Sequence, residues 1–390
     1  MTAPVSQRDL MAPPALQTPE LDEAIARAEA SAVVVWRGEH VPFAEVPERI
    51  AGISNRDERD LYLDGYIQAA EAVNPLYDER RERWRTLAAA AGSDVLGAAA
   101  ETGVDPRALA IDLERFSVHT ETPYFAALRR YLALVDIEQG DGTIADLWHI
   151  TRGVSWSHWF GERETRRAVA AAGRAAAAAL DLDGWRSAEA LLYGAPAGTD
   201  PTVAAAISET YAALPGDPHW LETELGVTSR EVAPLADFVA FVRLWRFRRA
   251  LAVLHYELRL YREDDPALLR AYYSGIVGHT TGVEVPEAAY LRDIAAPLAS
   301  ARRLRVLMLA ATLAEVLESR MGPAWWRAPA GSDLIAELGS ARNIDDALAH
   351  LGYDVLDWRP VLRQIRTRLI GEMSGYGGPN ITTRAGTRKV

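Results

Sequence analysis

Apolar residues recur every three to four positions along most of this chain, which predicts helices almost throughout. The clearest case is FVAFVRLWRFRRALAVLHYELRLYRE, Phe238 to Glu263, where no Gly or Pro intervenes for 26 residues. At about 100° per residue, Leu244, Phe247, Leu251, Leu254 and Leu258 share one face, and Phe238, Phe241 and Trp245 form a second apolar flank. A helix that is apolar on two sides belongs in the interior, so this one predicts a central element along which two helical halves meet. Thr18-Pro19-Glu20 marks a helix start, a hydroxyl cap followed by Pro and an acid. Asn55 caps the run that follows it, and Asn74-Pro75 predicts a break or kink before LYDERRERW. Asp105-Pro106 opens another helix running into Thr120–Ile137, and residues 164–182 form an alanine-rich helical pattern. SAVVVW at 31–36 is the one convincing strand signal. The fold class predicted is all-α.

The Gly/Pro/Ala cluster at 193–201 divides the chain into an N-terminal helical lobe, 18–192, and a C-terminal one, 193–372. Residues 1–17 are Pro- and Ala-rich without periodicity, and 373–390 are Gly-rich and basic, so both read as flexible tails. A formal net charge of −12 argues against a nucleic-acid or anionic-membrane surface. RLWRFRR at 243–249 is the best candidate for a local basic patch. The absence of cysteine removes disulfides, thiol nucleophiles and cysteine-ligated metals. The N-terminus lacks a secretory pattern and no run approaches the roughly 18 apolar residues of a membrane span, so the cytoplasm is the expected location. Phosphate loops, Gly-x-Ser-x-Gly elbows and dinucleotide fingerprints are missing, so no cofactor is expected.

Several ordered segments carry a likeness. GEHVPFAEVPERIAGISNRDERDLYLDGYIQAAEAVNPLYDERRERW, DPHWLETELGVT at 217–228, the 238–263 helix, GVEVPEAAYL at 282–291, MGPAWWRAPAGSDLIAELGS at 321–340 and LGYDVLDWRPVLRQI at 351–365 together resemble the thimet oligopeptidase/oligoendopeptidase group of zinc metallopeptidases over most of residues 30–370. The resemblance implies two helical lobes around a central cleft that clamps an elongated substrate. It also implies a His-Glu-x-x-His helix, whose two histidines share one face to hold zinc while the Glu activates water. None of His40, His119, His149, His158, His219, His255, His279 and His350 is followed by Glu, and no two are four apart. Where the zinc helix and its β-structure should lie, only the short connection 187–200 is found, so the catalytic insert reads as deleted. The further zinc-ligand Glu implied by the resemblance falls on PTVAAAISETYAAL at 201–214, where Ala204–Ala206 occupy the ligand turn and Glu209 lies one turn on. The Tyr that precedes a substrate-lining helix in this group has no counterpart in APLASARRLRVLML at 296–309. No metal site is expected.

Candidate residues centre on the long helix. His255 and Glu257 are the acid–base candidates, although two residues' separation turns them about 200° apart, so they cannot share a ligand. A structural Glu257 would bond a cation on a facing helix, since no base lies three or four residues from it. Tyr256, Arg259, Trp245, Tyr272 and His279 are the ligand-binding candidates, His279 being placed on a loop in GIVGHTTGV. His149 and His158 flank Trp156 between Trp148 and Trp159, a pattern that core packing explains better than ligand binding. His119 has a capping or core role as its default at a helix junction. Two functions stay open. One is a catalytically inactive metallopeptidase homologue that binds a peptide or partner through the old cleft. The other is a repurposed metal-free enzyme of cyclase, isomerase or lyase type, acting on a small molecule in an aromatic-lined cavity.

Overall fold

The computed structural model describes residues 14–100, 105–138, 140–153 and 200–369. The readings made above for residues 154–199, among them the lobe boundary, the alanine-rich helix, Trp156, His158 and Trp159, lie largely or wholly outside these, as do those for most of the two tails. The element order is α1 (Pro19–Ser31), β1 (Val33–Trp36), β2 (Glu39–Pro42), α2 (Val46–Ala51), α3 (Arg56–Ala90), α4 (Val95–Ala100), α5 (Pro106–Ala133) and α6 (Ile144–Trp148). It resumes with α7 (Pro201–Ala212), α8 (Pro218–Leu225), α9 (Ser229–Leu260), α10 (Pro266–Thr281), α11 (Ala299–Met321), α12 (Pro329–Leu338), α13 (Ile344–Leu351) and α14 (Arg359–Leu369). The fold is all-α apart from one hairpin, and no helix among the described residues is long and apolar enough to cross a membrane.

The predicted strand pairs with a second one, Val33 opposite Pro42 and Trp36 opposite Glu39. Arg37 and Gly38 turn between them with φ of 48° and 83°, the two left-handed positions a tight two-residue hairpin needs. The hairpin lies on α3 at Gly65, where a Cβ would come within 2.5 Å of Val34 Cγ1. Asn55 caps α3 as expected, its side chain accepting from the Glu58 N–H at 2.9 Å. Asn55→Ala should cost about 1 kcal/mol in urea melts; an unchanged midpoint would show that the packed interior of α3 makes the cap redundant.

The expected break at Asn74-Pro75 does not occur, since α3 continues for 35 residues with Pro75 inside it. Proline removes one backbone hydrogen bond and crowds the preceding turn. Here the turn is anchored from outside, because Asn74 Nδ2 donates to the Ala288 carbonyl at 3.0 Å and Val73 and Tyr77 are buried. Packing on both sides of the proline outweighs the local defect. The segment around His119 is likewise the interior of α5, which runs through Pro123, and not a junction; His119 lies against Trp358.

The central helix, α9, starts nine residues before Phe238 and ends three before Glu263. Its apolar faces meet α5 through Phe116 and Phe247, with ring centroids 4.2 Å apart, and through Tyr131 and Phe241 at 4.8 Å. Two hydrophobic clusters make up the interior. One runs from Leu16 through α3, α5 and most of α9 to Leu369, and the other gathers α7, α8, α12 and α13. Helices α9 and α11 supply side chains to both: Phe241 and Leu304 to the first, Leu235 and Leu309 to the second.

Candidate functional site

Water reaches the middle of α9 along one narrow stripe. Between Leu235 and Leu254 only Val239, Val242, Arg243, Arg246 and Arg249 are partly exposed, and every other residue is buried. Their spacing of three and four places them on a single helix face. Each arginine on this stripe meets a different neighbourhood. Arg249 Nη2 donates to both oxygens of Asp293, at 2.6 and 2.7 Å, and the Tyr273 hydroxyl donates to the same carboxylate at 2.6 Å. Arg243 donates to the Gln364 side-chain oxygen of α14 at 3.2 Å, and Gln364 in turn donates to the Ala311 carbonyl.

Helices α7 and α11 pack along each other, and Glu209 on α7 lies within electrostatic reach of Arg243 on the stripe and of Arg303 on α11. Burial pushes the Arg243 guanidinium below its ordinary value, with Glu209 opposing. Burial also lowers Arg303; Glu209 opposes that shift and Arg249 adds to it. Burial likewise works against the charge of Arg249, yet Asp293 and Tyr273 hold it above the ordinary range. These groups are desolvated although water touches them, with the Arg249 side chain one-third exposed at 33%. These side chains are mostly enclosed by protein yet reached by solvent on one side. Glu209 is close enough to influence Arg243 and Arg303 but forms no ion pair or hydrogen bond with either among the described residues. Arg303 has no acceptor among the described residues at all.

The sequence candidates fall elsewhere on α9 and on α10. Glu257 is fully buried and faces the start of α11. Its Oε1 accepts from the Leu298 N–H at 2.8 Å and the Tyr261 hydroxyl at 3.3 Å; its Oε2 accepts from the Ser300 N–H at 3.3 Å and the Ser300 hydroxyl. Burial pushes its carboxyl up to about 7, against the hydrogen bonds from Ser300 and Leu298 and the nearby charge of Arg302. Glu257 thereby satisfies N–H groups that the first turn of any helix leaves without partners. The cation expected for a structural Glu257 is present as the neighbouring charge of Arg302, and backbone and hydroxyl donors supply bonds to the carboxylate.

Tyr256 is fully buried against Tyr273 and Tyr272, and its hydroxyl has no partner among the described residues. Arg259 lies at the surface, its guanidinium 4.7 Å over the Tyr272 ring and paired to Glu263 at 3.3 Å. Tyr256, Tyr272 and Arg259 therefore gather in one place. His255 points away from them, held below its ordinary value by burial with Glu114 opposing. Trp245 is 7% exposed and packs in the main core. His279 stands in the last turn of α10 and not on a loop. The glycines that suggested a loop include Gly282, which ends the helix in a left-handed cap at φ 72°. His149 donates its Nδ1–H to the Ala51 carbonyl, 2.8 Å away, and Trp148 packs edge-on against Tyr66.

No family model matches the chain, and no curated protein does. Solved structures do match in fold. The X-ray structure of a protein assigned as oligoendopeptidase F superposes over 91% of this chain and 74% of its own, with a TM-score of 0.60 at 11% identity. PZ peptidase A, solved with an inhibitor, superposes over 92% of this chain and 76% of its own, with a TM-score of 0.61 at 11% identity. At such identity the likeness concerns the fold alone. The chain has the mostly helical, cleft-containing fold of these metallopeptidases.

Within that frame the arginine stripe and its partners are what sequence reasoning underused. RLWRFRR was visible as a basic patch, and ARRLR at 301–305 offers a second cluster of arginines. Only tertiary packing, of α7 and of α9 on α11, brings Glu209 within electrostatic reach of Arg243 and of Arg303.

Proposed function

We propose that this protein is a metallopeptidase homologue without peptidase activity, which binds a peptide along the cleft floor formed by α7, α9 and α11. The observation that carries this reading is a peptidase-type helical frame in a sequence with no His-Glu-x-x-His in any register. The residues at the expected ligand turn do not fit a zinc ion. Ala204, Ala205 and Ala206 are buried on α7, and the nearest carboxylate, Glu209, faces the guanidiniums of Arg243 and Arg303 in place of imidazoles. Among the described residues no group of three or more His, Asp or Glu could hold a metal. The position of Glu257 suits a structural role at the start of α11, and the water-reachable stripe of α9 suits ligand contact.

The small-molecule enzyme finds less support. A recess in the second cluster, lined by aliphatic side chains such as Val203, Ile207, Leu309, Leu313 and Leu351, is too tight to admit a water molecule, let alone a substrate. It also lacks any titratable group.

Zinc chemistry requires about three protein ligands converging at roughly 2.0–2.2 Å from the metal. The purified protein should therefore carry no stoichiometric zinc after dialysis and leave fluorogenic peptides uncut with or without added zinc. One equivalent of zinc by elemental analysis, together with chelator-sensitive cleavage, would overturn the proposal.

A further inference from the structure

We infer that Arg249 grips the main chain of the bound peptide: held in place by Asp293 and Tyr273, it donates from Nε and Nη1 to a ligand carbonyl. The inference rests on the peptide-binding reading above and adds the residue and the part of the ligand that it contacts. Arg249 Nη2 is used up on both oxygens of Asp293, whose carboxylate also accepts from the buried Tyr273. Asp293 is itself held, because it belongs to a short segment, 288–294, that α3 binds at four points. The Ala288 carbonyl accepts from Asn74 at 3.0 Å, and the Tyr290 hydroxyl donates to Asp78 at 2.6 Å. Arg292 donates to the Tyr66 hydroxyl, its guanidinium 4.3 Å from the Phe43 ring centroid, and the Ile294 carbonyl accepts from Arg80 at 2.6 Å. An ion pair that water reaches contributes little to stability by itself. A guanidinium locked through a carboxylate, a buried hydroxyl and a pinned segment has instead met its ordering cost before any ligand arrives.

The donors left over decide what it binds. Nε and Nη1 have no acceptor among the described residues, and with the side chain 33% exposed both reach water. Asp293 already cancels the charge of Arg249, so it repels a ligand carboxylate nearly as strongly as Arg249 attracts it. A carbonyl oxygen accepts the same hydrogen bond without bringing a charge, and an extended peptide offers one at every residue. The contact is therefore independent of the peptide's sequence. Arg303 lies within electrostatic reach of Arg249 and favours acidic ligands, but through a field that salt screens.

The test uses two dansyl-labelled peptide pools capped at both ends, one uncharged in sequence and one carrying Glu where the first carries Gln. Anisotropy is read with the full-length protein and its variants. Wild type should bind the uncharged pool with an affinity that changes by less than about twofold between low and high salt. Arg249→Lys keeps a cation beside Asp293 but gives up Nε and Nη1. It should melt as wild type does and lose roughly tenfold or more in affinity for the uncharged pool. Tyr273→Phe and Asp293→Asn leave the Arg249 donors present but less firmly placed, so each should weaken binding by a smaller factor. Neither should weaken it further in the Arg249→Lys background, and a further loss there would overturn the positioning role. Arg305→Gln is the control and should bind as wild type does. Equal affinity of wild type and Arg249→Lys for the uncharged pool overturns the inference and leaves peptide binding standing. Binding of the Glu pool alone, abolished by salt, does the same. Failure of both pools with wild type overturns both readings.

Discussion

Replacing Glu257 with alanine should remove roughly 2–6 kcal/mol of stability, two buried backbone donors being orphaned at about 1–3 kcal/mol each. The donors are the Leu298 and Ser300 N–H groups, both of which Glu257 alone satisfies from across the helix interface. Leu298 also holds a left-handed backbone, φ 57°, a conformation that a residue with a Cβ keeps only when its surroundings fix it. Removing the carboxylate releases that constraint, and the first turn of α11 frays. Equilibrium urea unfolding measures the loss, and a change below about 1 kcal/mol, under the cost of a single orphaned donor, would show that water or Tyr261 replaces the carboxylate. The pH dependence carries an independent signature. A carboxyl raised to about 7 in the folded state from 4.5 keeps its proton where the unfolded chain has lost it. Its contribution to stability is therefore complete below about pH 4.5 and is lost as the pH rises through about 7, a swing on the order of 3 kcal/mol. Glu257→Gln cannot ionise and lacks that swing. The wild type's advantage over Glu257→Gln should be greatest near pH 4.5 and shrink towards pH 8, and an advantage that grows with pH would show that the hydrogen bonds to the ionised carboxylate outweigh its burial.

Trp245→Ala is expected to cost roughly 3–5 kcal/mol, the transfer energy of a large aromatic plus the cavity it leaves. Trp245 is 7% exposed and belongs to the main cluster, beside Phe241 and Leu244 of the same helix. A rigid, packed environment relaxes poorly around a hole of that size, which places the change towards the upper end. Denaturant melts read it directly. A loss under about 1 kcal/mol, well below that range, would place this flank at the periphery of the fold.

What the sequence discloses and what it hides divide along physical lines. Helices announced by local chemistry were legible: Asn55, Asp105-Pro106 and the long apolar run of α9 mark elements where they were expected, and Thr18-Pro19 marks the start of α1, although the Thr18 hydroxyl caps no backbone N–H and donates to the Asp22 carboxylate at 3.3 Å. Pro75 misled because a proline's effect is decided by what lies beside it, and the Asn74 bond to Ala288 spans more than two hundred residues. Gly275, Gly278 and Gly282 misled in the opposite sense, since a helix that packs well tolerates glycine until the position that needs a left-handed turn. The candidate site was legible only in pieces. Periodicity identifies which face of α9 is apolar, and RLWRFRR flags its charges. It cannot show that Glu209, from a helix before α9 in the chain, lies within electrostatic reach of Arg243. Glu257 was conspicuous for the same reason that it is buried: a lone acid in an apolar helix invites a functional reading, while its partners Leu298 and Ser300 carry no signal of their own.

Helices α9 and α11 each belong to both hydrophobic interiors. An element with that double membership cannot serve as a hinge, because swinging one side away strips side chains from both interiors at once. The cleft floor proposed above is thus preorganised, and a peptide bound there would gain its affinity without first drawing two bodies together. Association should follow simple one-step kinetics, with selectivity set by which ligands fit a fixed row of arginine donors and not by how far the protein closes around them.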